Sequence, residues 1–157
     1  MLYITSFLSA PPRRLIGRTS LASLLLMTLS LLWSASSQAD DANLFRPLPA
    51  DTASLDQFKW KSRPLVIFAP SQSDPHYIQQ INILEKVKAE LKERDIVVLS
   101  DTSPSSNGEL RSQLNPKGFE VVLVGKDGGM KLRQQKPISS EVLLSTIDNM
   151  PMRKAKL

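Results

Sequence analysis

The pattern of apolar and polar positions divides the second half of the chain into short, regularly spaced elements. Largely apolar runs occupy residues 64–69, 95–100 and 119–124, and turn-forming or charged residues bound each of them. Runs of this length, without a polar residue at every second position, are typical of strands buried on both faces of a sheet. The pattern therefore predicts three central strands.

A helix is predicted between the first two strands. Asp74 is a favourable capping residue, and Pro75 suits the first helical position. Apolar residues then recur at helical spacing on one face, which predicts one helix from this point to about Arg94. The residues of that face are Ile78, Ile81, Leu84, Val87 and Leu91.

The C-terminal part of the chain adds further elements. Residues 109–114 fit a short helix, and Asp127 with Gly128 supplies the backbone angles of a tight hairpin turn. Residues 130–133 alternate apolar and basic, as an edge strand does. A last helix is predicted from the cap Ser139 to Pro151, with Val142, Leu143, Ile147 and Met150 facing inward. Residues 55–60 fit a short helix or a strand equally well.

The N-terminal 39 residues predict a cleavable signal peptide. Arg13, Arg14 and Arg18 precede an apolar stretch at 21–33, and Ser37-Gln38-Ala39 resembles a cleavage site. The apolar stretch is shorter than the roughly 20 residues that a membrane span requires, so we expect no stable membrane anchor after cleavage. An uncleaved anchor is the alternative. The interpretation implies export to the periplasm, if the source is Gram-negative, or secretion.

The remaining chain predicts one small domain. We expect a flexible lead-in at 40–50, a single domain at 51–152 and a mobile basic tail at 153–157. Loss of the three signal arginines would lower the formal net charge from +5 to +2. The high isoelectric point is therefore weak support for nucleic-acid binding, and we expect no nucleic-acid partner.

The chain contains no cysteine. Thiol oxidoreductase and peroxidase chemistry require a thiolate and are excluded. One histidine without cysteine also removes nearly all zinc and copper patterns, so we expect no metal and no cofactor.

The order of the predicted elements resembles the thioredoxin-like arrangement. Segments 58–65, 93–95, 125–133 and 148–153 resemble a family of unknown function that includes small secreted bacterial proteins and a domain of vertebrate sushi-repeat matrix proteins. The resemblance implies an α/β three-layer sandwich, with a central four- or five-stranded mixed sheet and flanking helices, and an exported location. It implies no established activity. Whether the first and last helices share a face of the sheet stays open.

The loop 71–76 stands where thioredoxins carry their cysteines. Ser71, Ser73 and His76 form a ligand-binding hypothesis, because helix N-termini bind anions. The alternative is that Asp74 caps the helix and the serines satisfy the turn. A Ser-His-Asp triad is disfavoured by the close sequence spacing, unless a carboxylate such as Asp101 approaches.

A second hypothesis concerns an interaction surface formed by Trp60, Arg63, Lys131 and Arg133. Trp60 would otherwise cover one end of the core, and Arg63 would pair with an acidic residue. Lys131 and Arg133 would otherwise protect a solvated edge strand. The sequence thus favours a non-catalytic binding or interaction module, with another exported protein or a small anion as partner. The alternative is a thiol-independent enzyme that uses the loop 71–76.

Overall fold

A computed structural model describes residues 43–155, which form a mixed five-stranded sheet with helices on both faces. Its order is β1-β3-β2-β4-β5, in which β1, β3 and β2 are parallel while β4 and β5 run antiparallel to their neighbours. This architecture confirms the predicted three-layer α/β fold. The strands are β1 (Phe45–Pro47), β2 (Arg63–Phe68), β3 (Ile96–Asp101), β4 (Glu120–Val124) and β5 (Met130–Gln134).

Five α-helices and two short 3-10 helices lie between or after the described strands. The α-helices are α1 (Pro75–Glu85), α2 (Lys88–Glu93), α3 (Glu109–Leu114), α4 (Ser140–Asp148) and α5 (Pro151–Lys154), and the 3-10 helices are Asp56–Phe58 and Pro104–Ser106. The first 3-10 helix settles the open assignment of residues 55–60. Among residues 43–155, no helix combines the length and the apolar character that crossing a membrane requires.

The core lies on both faces of the sheet. Leu84 of α1 and Ile147 of α4 belong to one cluster together with Leu65 of β2. Phe68 lies in the second cluster, against which Leu114 of α3 packs. The first and last major helices therefore share a face, and α3 covers the opposite one. Every residue of β2 is buried, as its continuous apolar run predicts.

The predicted flexible lead-in is wrong for residues 44–48. β1 pairs with β3, and the Leu48 N–H donates to the Ser100 carbonyl at 2.8 Å. Leu44 is buried, and Phe45 packs against the main core cluster. These apolar residues cover the open edge of β3, and Pro47 is tolerated because an edge strand needs no outward N–H.

The predicted long helix is divided in two. α1 ends at Glu85, and Val87 leaves helical geometry with φ −124° and ψ 31° before α2 begins. Ile78, expected to face inward, is 46% exposed. A buried polar residue, Gln80, occupies the inner face instead, where its side chain accepts from the Ile138 N–H at 2.7 Å and donates to the Ile138 carbonyl at 3.2 Å.

The C-terminal end also departs from the prediction. Val142 is 49% exposed instead of facing inward. Pro151 does not end the last helical region but occupies the first position of α5, where its missing N–H costs nothing. Arg153, placed in a mobile tail by the sequence pattern, is buried because its guanidinium contacts two carboxylates.

Candidate functional site

The loop 71–76 lies at the carboxyl end of the sheet, where β2 and β3 finish. Asp74 accepts a hydrogen bond from the Tyr77 N–H at 3.0 Å, which confirms its predicted capping role. The hydroxyl oxygens of Ser71 and Ser73 lie 3.0 Å apart, within hydrogen-bond distance. Asp74 therefore satisfies a backbone donor in the first turn of α1, while the two serine hydroxyls contact each other.

His76 is exposed, and its ring packs against Phe119 with 5.5 Å between the ring centroids. The carboxylate that a triad would need is engaged elsewhere, because Asp101 accepts from Arg111 Nε at 2.6 Å and from the Ser103 N–H at 3.1 Å. The structure thus places Ser71, Ser73 and His76 on one loop without joining them to Asp101.

Arg111 closes the carboxyl end of the sheet, a role that sequence reasoning missed. Besides its ion pair with Asp101, the guanidinium donates to the Asp101 carbonyl at 2.9 Å and to the Ala69 carbonyl at 3.3 Å. It also lies 5.2 Å from the centroid of the Phe68 ring. One side chain of α3 therefore holds the ends of two neighbouring strands. The only sequence signal is an acid at a strand end followed by an arginine in the next helix.

A groove of about 390 Å³ lies beside this loop, between β1 and α1. Its walls include Arg46, Gln72, Tyr77 and Thr102. Neither Ser71 nor His76 belongs to them, so the groove does not collect the predicted ligand-binding residues. No three histidine, aspartate or glutamate side chains within residues 43–155 are grouped in a way that could hold a metal ion.

The opposite, amino end of the sheet carries a network of ion pairs. Arg94 donates from Nε and Nη2 to the two carboxylate oxygens of Asp148, at 2.9 and 2.8 Å. Arg153 donates to the same carboxylate at 3.2 Å and also pairs with Glu93. Asp148 thereby links the chain after α2 to α5. This two-point geometry is the strong form of a charge-assisted contact.

A second group of charges continues this network. Lys126 Nζ lies 2.6 Å from the Asp95 carboxylate, and Arg63 Nη1 lies 3.8 Å from the same oxygen. The acidic partner expected for Arg63 is thus present. Arg63 is only 2% exposed, however, so the interaction surface predicted from the sequence does not include it. Burial lowers the pKa of its guanidinium, while the Asp95 charge acts in the opposite direction.

Trp60 stands at this end of the sheet and is 69% exposed. Trp60 therefore does not cover one end of the core, which was the alternative to an interaction surface. Its backbone adopts the left-handed conformation, with φ 64°, and its N–H donates to the Lys126 carbonyl at 2.7 Å. A positive φ is unusual for a bulky residue and costs free energy. The hydrogen bond to the hairpin after β4 thus holds the Trp60 backbone in this conformation, and the indole ring is exposed to solvent.

Lysine side chains lie across two of the three hairpin glycines. A Cβ added to Gly128 would come within 2.3 Å of Lys59 Cε, and one added to Gly125 within 2.4 Å of Lys131 Cε. Gly128 also has φ +80°, which favours glycine. A basic side chain therefore covers Gly125 and another covers Gly128.

Lys131 and Arg133 both lie on the edge strand β5, as predicted. Lys131 pairs with Asp127 at 2.5 Å, and Arg133 Nη2 approaches the buried Glu120 carboxylate to 2.6 Å. Arg133 Nη2 directs its hydrogen bond to the Leu114 carbonyl instead, and both Glu120 oxygens lack a hydrogen bond. Arg133 therefore serves mainly to balance a buried charge.

Asp148→Asn is expected to remove part of the acid sensitivity of folding. The hydrogen bond from Arg94 is the main cause that holds the pKa of Asp148 below its ordinary value of 3.8. A lowered pKa in the folded state stabilises the fold above the unfolded pKa, and this stabilisation disappears as the pH falls through the folded value. Thermal unfolding measured between about pH 7 and about pH 3 should show a smaller acid-induced drop in Tm for the variant.

The control for this measurement is Asp51→Asn, which alters an exposed turn aspartate. It should reproduce the pH profile of the unchanged protein. Parallel profiles for Asp148→Asn and the unchanged protein would contradict the assigned role of Asp148.

The fold and its sites define a thioredoxin-like domain without cysteine. Residues 54–156 match the family described as "Domain of unknown function (DUF4174)", and the chain belongs to that family. The segments 58–65, 93–95, 125–133 and 148–153, on which the resemblance rests, all contribute to the amino end of the sheet.

Two curated relatives are sushi repeat-containing proteins. SRPX2 of Homo sapiens is 30% identical over an alignment of 112 residues, and the match covers 60% of this chain and 24% of the relative. SRPX of Rattus norvegicus is 27% identical over an alignment of 146 residues, and the match covers 82% of this chain and 32% of the relative. The chain thus spans a quarter to a third of the length of these relatives.

Solved structures support the same fold at low sequence identity. Chloroplastic thioredoxin z is 18% identical with a TM-score of 0.50, and covers 71% of this chain and 95% of its own. Desulfothioredoxin from Desulfovibrio vulgaris Hildenborough is 17% identical with a TM-score of 0.50, and covers 69% and 99%. These similarities show the fold of this chain, and they do not assign an activity to it.

Proposed function

We propose that the protein is an exported, non-catalytic interaction module that docks an acidic segment of another exported protein. The docking surface, here called the Trp60 surface, consists of Trp60, Lys59, Lys61 and Lys131. The exposed Trp60, held at a positive φ by the hairpin, is the observation that carries the proposal. Tryptophan is the side chain most often found to dominate binding energy at interfaces.

The charges around Trp60 support an acidic partner. Lys61 follows it in the sequence and is exposed, while Lys59 and Lys131 lie across the hairpin glycines and pair with Asp56 and Asp127. Basic side chains around an aromatic anchor attract acidic segments and set the dependence of association on salt.

Two further observations favour binding over catalysis. The chain lacks cysteine, and in the loop 71–76 the serine hydroxyls contact each other, Asp74 caps α1 and His76 packs against a ring. The curated relatives are named for sushi repeats and are three to four times as long as the matched region, which fits a domain that works beside other protein modules.

Export rests on the pattern within residues 13–39, which lie outside the described residues, and N-terminal sequencing of the mature protein tests it.

Photo-crosslinking in the native compartment tests the docking surface. With p-benzoylphenylalanine at position 61, we expect a covalent adduct to one partner whose cross-linked segment is acidic. Because Trp60 supplies the anchor, Trp60→Ala should remove the adduct, and raising the ionic strength should weaken it.

The control variant is Ile78→Ala, which removes another exposed apolar side chain at a distant position and should leave the adduct unchanged. The contrasting probe position is the exposed Gln72 in the loop 71–76. An adduct formed only from position 72, or one from position 61 that survives Trp60→Ala, would overturn the Trp60 surface in favour of the loop.

A further inference from the structure

A small cavity of about 160 Å³ lies next to the hairpin at the amino end of the sheet. Its polar wall contains the cations Arg63, Lys126 and Lys131, together with Asp127. Its apolar wall is formed by Met150, Pro151 and Met152. The cavity therefore combines positive charge with a short hydrophobic surface.

Arg63, which lines this cavity, has a buried Nε–H donor without a partner. Its Nη1 donates to the Arg94 carbonyl at 2.7 Å, but its Nε has no hydrogen-bond partner although the residue is 2% exposed. A buried charged donor without an acceptor is costly, and native proteins seldom keep one without a reason. Burial also lowers the pKa of this guanidinium, while the nearby Asp95 charge raises it.

The ion pairs around the cavity leave one positive charge without a matching carboxylate. Among the described residues, ion pairs around this cavity join the carboxylates of Glu93, Asp95, Asp127 and Asp148 to the cations Arg63, Arg94, Lys126, Lys131 and Arg153. The cations exceed the carboxylates by one. A single monoanion at the cavity would balance this excess, whereas a dianion would leave negative charge beside Asp127.

We propose that this cavity binds a carboxylate group, which accepts hydrogen bonds from Arg63 Nε and Lys126 Nζ. Lys126 can serve Asp95 and the ligand together because an ammonium group has three donors. The two methionines pack against the aliphatic part of the ligand. The source is either a small free acid or a glutamate side chain of a protein. This inference goes beyond the proposed function and does not depend on Trp60.

Titration of the purified protein with butyrate, followed by NMR of the arginine Nε–H signals, tests the proposal. We expect the Arg63 signal to shift and saturate, with little response to butyramide, which has the same shape without the charge. Lys126→Met should weaken butyrate binding at least about tenfold, as the loss of a charge-assisted hydrogen bond does. Lys136→Met, at an exposed lysine that does not line the cavity, should bind like the unchanged protein.

A second variant keeps the test valid if Lys126→Met does not fold. Met152→Trp enlarges a residue that is 38% exposed and lines the cavity, and it should fill the space and abolish the shift. Equal responses to butyrate and butyramide, or full binding by either cavity variant, would overturn the proposal.

The two sources of the carboxylate are separated by a peptide. An acetylated and amidated peptide with one glutamate should bind more tightly than butyrate if a protein side chain is the ligand, and less tightly if a free acid is. Trp60→Ala should leave butyrate binding unchanged, so failure of the Trp60 surface and failure of this cavity give different results.

Discussion

Arg111→Met is expected to lower the free energy of unfolding by about 3–5 kcal/mol, because it leaves the Asp101 carboxylate buried without its cation. The Asp101 side chain is 8% exposed and lies 2.6 Å from Arg111 Nε. Methionine retains most of the length of the side chain, so it does not leave a large cavity. The loss of stability therefore measures the missing charge and the missing hydrogen bonds. The Ala69 and Asp101 carbonyls lose a donor at the same time. Urea denaturation measures the effect.

Two companion variants separate charge from packing. Arg111→Met combined with Asp101→Asn should be more stable than Arg111→Met alone by more than about 1 kcal/mol, because the buried charge is gone while an acceptor for the Ser103 N–H remains. Arg46→Met, at an exposed arginine, should cost less than about 1 kcal/mol. If Arg111→Met alone stays within this small range, the ion pair is not what closes the carboxyl end of the sheet.

The central strands could be predicted from the sequence because their environment is uniform. β2 lies between β3 and β4 and is buried on both faces, so a continuous apolar run is its direct signature. β1 has no such signature. Three residues that include a proline resemble a loop, and their strand conformation depends on the free edge of β3, which lies some fifty positions further along the chain.

The contacts at the candidate sites likewise include some that the sequence could predict and some that it could not. Asp74 could be recognised because capping joins residues only three positions apart. Arg94 and Asp148 are 54 positions apart, and no local pattern indicates that they meet. The inward position of Gln80 is equally hidden, because its hydrogen bonds reach Ile138, 58 positions away. Contacts between distant polar residues are set by the tertiary fold, which periodicity does not report.

The two ends of the sheet have different characters. At the carboxyl end, where thioredoxins carry their thiols, the polar groups of Asp74, Asp101 and Arg111 are engaged with one another or with backbone. At the amino end, an unused Arg63 donor and an exposed, strained Trp60 remain. The buried Glu120 carboxylate, opposite Phe68 at the carboxyl end, also lacks a hydrogen bond but has Arg133 as its cation, whereas the amino end exposes a strained aromatic ring. Strained residues of this kind are expected at functional sites.

Trp60→Gly is expected to stabilise the fold while it removes partner binding. A non-glycine residue in the left-handed region costs about 1–2 kcal/mol, whereas glycine adopts it freely. Trp60 has φ 64° and is 69% exposed, so the substitution relieves backbone strain and loses little buried surface. Trp60→Ala removes the same ring but keeps the strain. Urea denaturation should therefore find the glycine variant more stable than the alanine variant by about 1 kcal/mol.

Both variants should lose the adduct formed from position 61, since both lack the aromatic anchor. A gain in stability together with a loss of binding would mean that the hairpin holds Trp60 in an unfavourable conformation for the benefit of the interface. If the glycine variant is no more stable than the alanine variant, the backbone at Trp60 is not strained. If it also still forms the adduct, the exposed ring has no role in docking, and the neighbouring lysines alone would have to account for the attraction of an acidic partner.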